Sequence, residues 1–286
     1  MALPSAPTLT ITLIARDEED RLPAALASVA WADEIVVVVD AATTDRTAAI
    51  AEAAGARVLV RTFDGFGTQK NAAAALASHR WILSIDADEI VSTRLALEIR
   101  ARLATIATEK SPPAAFRIPI RLEFLGRELH FGRDTVVRPA RLYDRERARF
   151  SEDPVHEKVL TEGPTEALDE PILHRSYRDL AHYLEKLDRY TTLAAEAKWA
   201  ARKGVMPFLP LRVAWEFFDR AILRLGILDG TAGLTFAVLS AANTLLKYLK
   251  LRELEDAIAT GLRTPPANVR AEDSGVLRIR ALTRAR

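Results

Sequence analysis

The chain has 286 residues, 49% of them hydrophobic, with 40 Lys and Arg against 39 Asp and Glu, a formal net charge of +1 and no cysteine. That length and apolar content support one large domain, or one domain with a smaller one appended, and exclude global disorder. The charge balance argues against a nucleic-acid partner. Without cysteine there are no disulfides, thiolate zinc sites, iron–sulfur clusters or cysteine nucleophiles, so a metal must be held by oxygen or imidazole, which favours Mg2+ or Mn2+.

Leu9 to Ile14 is β-branched and apolar and predicts a buried strand. Leu22, Ala25, Leu26 and Val29 follow at helical spacing. Glu34 to Val39 is apolar on both faces, as in the middle of a parallel sheet. Asp45 is placed to cap a helix that Gly55 ends. Arg57 to Val60 predicts a third strand, Gln69 to Ser78 a helix, and Trp81 to Ile85 a fourth strand running into Asp86-Ala87-Asp88-Glu89. A further helix spans Thr93 to Thr105. This alternation predicts a parallel sheet with helices on both faces. No dinucleotide glycine fingerprint follows the first strand, and there is no P-loop. From Ala114 to Leu173 short β-like stretches with many arginines and prolines predict antiparallel additions and site loops. Helices are expected over Tyr177 to Lys203, Phe208 to Leu225 and Gly230 to Leu251, before a basic, polar tail. Met1 to Pro7 has two prolines and no basic n-region, so no secretory leader is expected.

In such a sheet chemistry sits at the carboxyl ends of the strands. That edge carries Asp17 and Glu18, Asp40, and Asp86-Ala87-Asp88. Two carboxylates two positions apart can reach one cation and the diphosphate it binds; the bland alternative is a strand-to-helix loop in which Asp88 or Ser92 caps the next helix. Asp40 can accept hydrogen bonds from a base or ribose, or merely precede a turn capped by Thr43, Thr44 and Asp45. Asp17 and Glu18 carry the same ambiguity. Lys70 lies in the first turn of its helix, where the dipole disfavours a cation unless it meets an anion; otherwise it is solvated.

Taken together, these pieces resemble family 2 glycosyltransferases of the GT-A fold. Trp31 to Val37, Asp64 to Asn71 and Leu83 to Glu89 are similar to the bacterial branch that contains lipopolysaccharide core β-glucosyltransferases. So are Val155-His156-Glu157, Leu173 to Tyr177, Leu187 to Thr192 and Leu228 to Gly233. The resemblance implies a Rossmann-like αβα sandwich with a mostly parallel sheet and a C-terminal helical extension. It places a catalytic domain over 1–175, with a nucleotide-sugar half near 1–110 and an acceptor half near 111–175, then helices over 176–260 and the tail over 261–286. It implies inverting transfer from a nucleotide-diphosphate sugar to a glycan or glycolipid hydroxyl. On it, Asp17, Glu18, Asp40 and Lys70 line the nucleotide pocket, Asp86, Ala87 and Asp88 hold ribose and metal, and Asp88 is the first metal ligand. His174, with the better family position, or His156 can complete the metal's coordination; the alternative is a buried histidine bonded to backbone. Asp17 stands where the family usually has Asn, Asp40 to Asp45 lacks the usual glycine and serine, and Val137 stands near where an aspartate is expected.

Inverting displacement needs a base on the acceptor oxygen. Glu157 is the first candidate and Asp134 the second; the alternative for Glu157 is a surface ion pair with Lys158 or an arginine. Two other functions suit such a chain: a nucleotidyltransferase of similar fold, which would normally carry a glycine-rich phosphate loop, and a non-catalytic scaffold. The aromatic and basic segment Phe208 to Lys250, with its uncharged run Gly230 to Leu246, suits a membrane interface. The expectation is a peripheral enzyme on the cytoplasmic face of the inner membrane, against the alternative of helices packed on the catalytic domain or in a homodimer.

Overall fold

The computed structural model describes residues 7–106, 108–131, 136–153, 157–204, 207–264 and 266. In chain order the strands and helices begin with β1 Leu9–Ala15, α1 Leu22–Ser28, β2 Glu34–Asp40, α2 Thr47–Ala53, β3 Arg57–Arg61 and α3 Phe66–Leu76. They continue with β4 Trp81–Asp86, β5 Glu89–Val91, α4 Thr93–Ile106, β6 Ala115–Arg117, β7 Ile120–Phe124, β8 Arg127–Glu128 and β9 Val136–Val137. After β10 Ala140–Asp144, β11 Ala148–Phe150, β12 Val159–Thr161, β13 Thr165–Ala167 and β14 Ile172–His174 come α5 Leu180–Ala200, α6 Leu209–Phe218 and α7 Gly230–Ala259. The chain divides into two compact units, 1–121 with 137–175, and 122–136 with 176–286.

The first unit is built on a seven-stranded sheet ordered β13-β6-β10-β4-β1-β2-β3. The four strands expected from the sequence, β1 to β4, pair parallel, and β10 joins β4 and β6 antiparallel. Leu9, Ile11, Leu13, Val37, Val39, Leu83 and Ile85 pack against α1, α2 and α4. On the opposite face Val36 and Val38 meet Ala73, and Ile82 meets Ala74, both from α3. Strands apolar on both faces thus carry helices on both faces, an αβα sandwich with a mostly parallel sheet.

Side-chain bonds pin the amino ends of β1 and β2. Asp33 Oδ2 accepts from Leu9 N at 2.8 Å and Arg100 Nη1 at 3.0 Å. Glu34 accepts from Thr10 Oγ1 at 2.6 Å and from Ser78 N at 2.7 Å. Burial raises the pKa of both acids, but these bonds outweigh it and leave both below their ordinary values of 3.8 and 4.5. Folded carboxylates that bind protons more weakly than unfolded ones stabilise the fold fully above those ordinary values and lose that effect as pH falls through the lowered ones. The urea midpoint should therefore fall on going from about pH 6 to about pH 3, and Glu34→Gln should flatten part of the fall. An equally steep fall in that variant would count against these bonds.

In the second unit β7 and β8 form a hairpin whose two turn residues, Leu125 and Gly126, both have positive φ, 51° and 72°, as a tight hairpin turn requires. Phe124 at its end is edge-on to Tyr177, Tyr183 and Phe236, in a core with Leu129, Leu187 and Ala232. The single helix expected over Phe208 to Leu225 is divided. α6 ends at Phe218, a π-helical turn covers Asp219–Leu223, and Leu225 adopts left-handed φ before a 3-10 turn Gly226–Asp229. The break is steric: a Cβ on Gly233 would lie 2.0 Å from Gly226 O, so the turn packs directly on the first turn of α7. The expected tail over 261–286 lies mostly outside the described residues.

Candidate functional site

Six segments of the first unit build the site: the β4–β5 turn, β14, α3, the β11–β12 loop, β10 and the residues just after β1. β4 delivers Asp86, and the chain turns at once into β5, with Asp86 N donating to Glu89 Oε2 at 2.8 Å. β5 pairs antiparallel with β14, His174 opposite Glu89. That pairing sets His174 beside Asp88, with Nε2 3.2 Å from Oδ2, and Arg175 N donates to Asp88 O at 2.8 Å.

α3 supplies Lys70. A Cβ on Gly67 would lie 1.9 Å from Ser151 O, so only glycine allows this approach of α3 to the segment after β11. Asn71 seals it, donating to Phe150 O and accepting from Phe150 N, both at 2.9 Å. Lys70 is 3% exposed, which rules out the solvated alternative. Its Nζ lies 3.2 Å from both Asp86 Oδ1 and Glu157 Oε1. Glu157 ends the loop of the β11–β12 hairpin, where Ser151 N donates to Lys158 O at 2.8 Å. Instead of a surface pair with Lys158 or an arginine, Glu157 meets this buried lysine.

Arg141 from β10 takes the other side of Asp86, with Nη2 3.1 Å from Oδ2 and 2.8 Å from Glu89 Oε1. Arg21 grips Glu18 through two contacts, 2.6 and 2.7 Å, and reaches Asp88 Oδ2 at 3.3 Å. Burial pulls the His174 pKa down, but Asp88, Glu89 and Asp86 outweigh it and raise it. Burial raises Asp88, and His174 and Arg21 more than reverse that. Glu89 is raised by burial and by Asp86, against the pull of Arg141.

The structure thus brings together Lys70, Asp86 and Glu157, and separately Asp88, His174 and Glu18 through Arg21, next to one another on adjacent turns. Ala87 lies buried between the two acids. Asp40 is buried, accepts from Ala42 N at 3.0 Å and pairs with Arg16 at 3.4 Å. Asp17, at φ 52°, accepts from Thr44 N at 2.8 Å and so ties the loop after β1 to the loop after β2. Neither shares a side-chain contact with the Lys70 group among the described bonds. Asp134 and His156 lie outside the described residues.

Sequence reasoning missed Glu89, Arg21 and the pairing role of Arg141. Arg141 opens the otherwise apolar stretch Arg141-Leu142-Tyr143. The usable signal was an arginine at the head of an otherwise apolar strand unit, since such a charge is buried only when paired.

Residues 10–105 match the family described as Glycosyl transferase family 2. Over that segment the chain is similar to the family 2 glycosyltransferases. An uncharacterized glycosyltransferase of Rickettsia bellii is 27% identical over 258 residues, 85% of each chain. One of Rickettsia conorii is 28% identical over 251 residues, 84% of this chain and 88% of that one. Among solved structures, S. aureus TarS 1–349 aligns with 89% of this chain and 92% of its own at 14% identity and a TM-score of 0.40. Glucosyl-3-phosphoglycerate synthase from Mycobacterium tuberculosis, in complex with Mn2+, UDP-glucose and phosphoglyceric acid, aligns with 42% and 45% at 22% identity and a TM-score of 0.30.

Among the described residues no three or more His, Asp or Glu converge as a ready metal cage. Asp88 and His174 nevertheless fit a divalent ion. An imidazole nitrogen and a carboxylate oxygen already meet at 3.2 Å, and both suit Mg2+ or Mn2+, which takes few protein ligands and fills its shell with phosphate and water. Both Asp86 oxygens, by contrast, already face cations.

Arg141→Met should destabilise the protein by about 3–5 kcal/mol, because it strands the buried Glu89 and half of Asp86 without a counter-charge. Arg141→Met/Glu89→Gln should recover part of the loss in thermal or urea melts. A single variant within about 0.5 kcal/mol of the parent would show that the pairing is unimportant.

Proposed function

We propose that this protein is a glycosyltransferase that moves a sugar, with inversion, from a nucleotide-diphosphate sugar to a hydroxyl of a cell-envelope glycan, in lipopolysaccharide core or related polysaccharide synthesis. One observation carries this: a single buried lysine, Lys70, touches both Asp86 at the strand end and Glu157 from a hairpin 87 residues away. The donor-side acid and the base candidate therefore meet at one place. The cell-envelope acceptor is supported by the motifs shared with the lipopolysaccharide core branch, and a lipid-linked acceptor would put the enzyme at the cytoplasmic face of the inner membrane.

In this mechanism Asp40, with the loops held by Asp17 and Glu18, receives the nucleoside. Thr43 Oγ1, buried without a partner among the described residues, is available to it. Asp86, fixed by Lys70 and Arg141, faces the ribose. Asp88 and His174 would hold Mg2+ or Mn2+, whose charge would offset that of the departing diphosphate. The acceptor oxygen bonds to the anomeric carbon from the face opposite the diphosphate. Its proton passes to the Glu157 carboxylate, and the anomeric C–O bond breaks with its electron pair leaving on the phosphate oxygen. Lys70 orients the Glu157 carboxylate for that role. The test is proton NMR of the product: the new linkage should have the anomeric configuration opposite to the donor's. A retained configuration would overturn the single displacement.

A further inference from the structure

The second unit carries an apolar surface that its own packing leaves uncovered. Phe208, Leu211, Trp215, Phe218 and Ile222 recur at intervals of three and four residues along α6 and into the π-helical turn, Leu225 follows just beyond it, and all are exposed, the first three by 71, 69 and 53%. Intervals of this kind place side chains on one face of a helix. Of residues 207–228, all described, only Arg212 is an exposed charge. The acids there are half-buried and neutralised: Glu216 by Arg212 at 3.3 Å and Arg220 at 2.9 Å, Asp219 by Arg224 at 2.7 Å. Just before the stripe, Arg202 and Lys203 are exposed.

We infer that this stripe is a docking surface for an anionic lipid bilayer. Aromatic residues on one helix face, with only basic charge exposed beside them, match an interfacial helix that buries its apolar side and draws negative headgroups. A coiled-coil seam between two copies of the chain would favour Leu, Ile or Val at these spacings rather than Phe208, Trp215 and Phe218. Nor is the stripe part of a crossing helix. The one run among the described residues long and apolar enough to span a membrane is Gly226–Ala259, and 44% of its most apolar 18-residue stretch is buried within the protein. Its Tyr248 and Leu251 share a buried apolar cluster with Ala195 of α5 and Leu209 of α6. The inference rests on the proposed function only for which membrane is meant; binding itself needs no donor or acceptor.

The test is flotation of the full chain with vesicles of phosphatidylcholine containing roughly 30% phosphatidylglycerol. The protein should float, less with pure phosphatidylcholine, and high salt should release it only in part because salt screens charge but not apolar burial. Leu211→Glu/Trp215→Glu, at exposed positions, should reduce binding about tenfold or more while leaving nucleotide-sugar affinity unchanged. In the wild type, brominated lipid should quench tryptophan fluorescence, a readout that needs no variant. Three results would overturn the inference: no binding to anionic vesicles, binding unchanged in the double variant, or a lipid-free dimer that the same variant splits.

Discussion

Replacing Asp88 by alanine should lower transfer by on the order of a thousandfold or more while leaving the fold intact. The side chain stands in a turn after β4 and its partners are His174 and Arg21 rather than core residues. Its loss removes one of the two groups that fit a divalent ion. His174→Ala should act in the same direction and less strongly, because the carboxylate remains. Weaker binding of Mn2+, followed by water-proton relaxation in the presence of nucleoside diphosphate, should accompany the loss for both. If the parent enzyme stays fully active in excess chelator, neither residue is a metal ligand.

Glu157→Gln should keep donor binding and lose transfer by about 10²–10⁴-fold, the usual contribution of a general base. The amide retains the shape of the carboxylate and can still face Lys70, but it cannot take the acceptor's proton. The effect should fall on kcat and not on the affinity for donor. Asp134→Asn is the comparison, since Asp134 is the other base candidate. A near-normal Glu157→Gln beside an inactive Asp134→Asn would move the base to Asp134.

The parallel sheet was legible because β1, β2 and β4 are runs of β-branched and apolar residues, and that periodicity says which strands lie inside. The acids at their ends followed from the sheet. The partner of Lys70 was half legible: a cation in the first turn of a helix signals an anion, but nothing local says that the anion includes Glu157. Glu89 and Arg141 stayed hidden because each looks like an ordinary surface charge until the pairing of β10 with β4 brings them together. His174 reaches Asp88 through the pairing of β14 with β5, and such long-range register is not written in either strand alone. In the helical unit, composition marked an apolar surface between Phe208 and Lys250. Only the packing of α7 against α5 and α6 shows that the uncovered stripe lies on α6.

The most direct test of the central claim is incubation of the purified enzyme with a panel of nucleotide-diphosphate sugars, Mg2+ or Mn2+, and a lipopolysaccharide-core acceptor. At least one donor should release nucleoside diphosphate in step with acceptor glycosylation, and Asp88→Ala should abolish it. Release of pyrophosphate, or no turnover with any donor and acceptor, would contradict a sugar transferase with the site described.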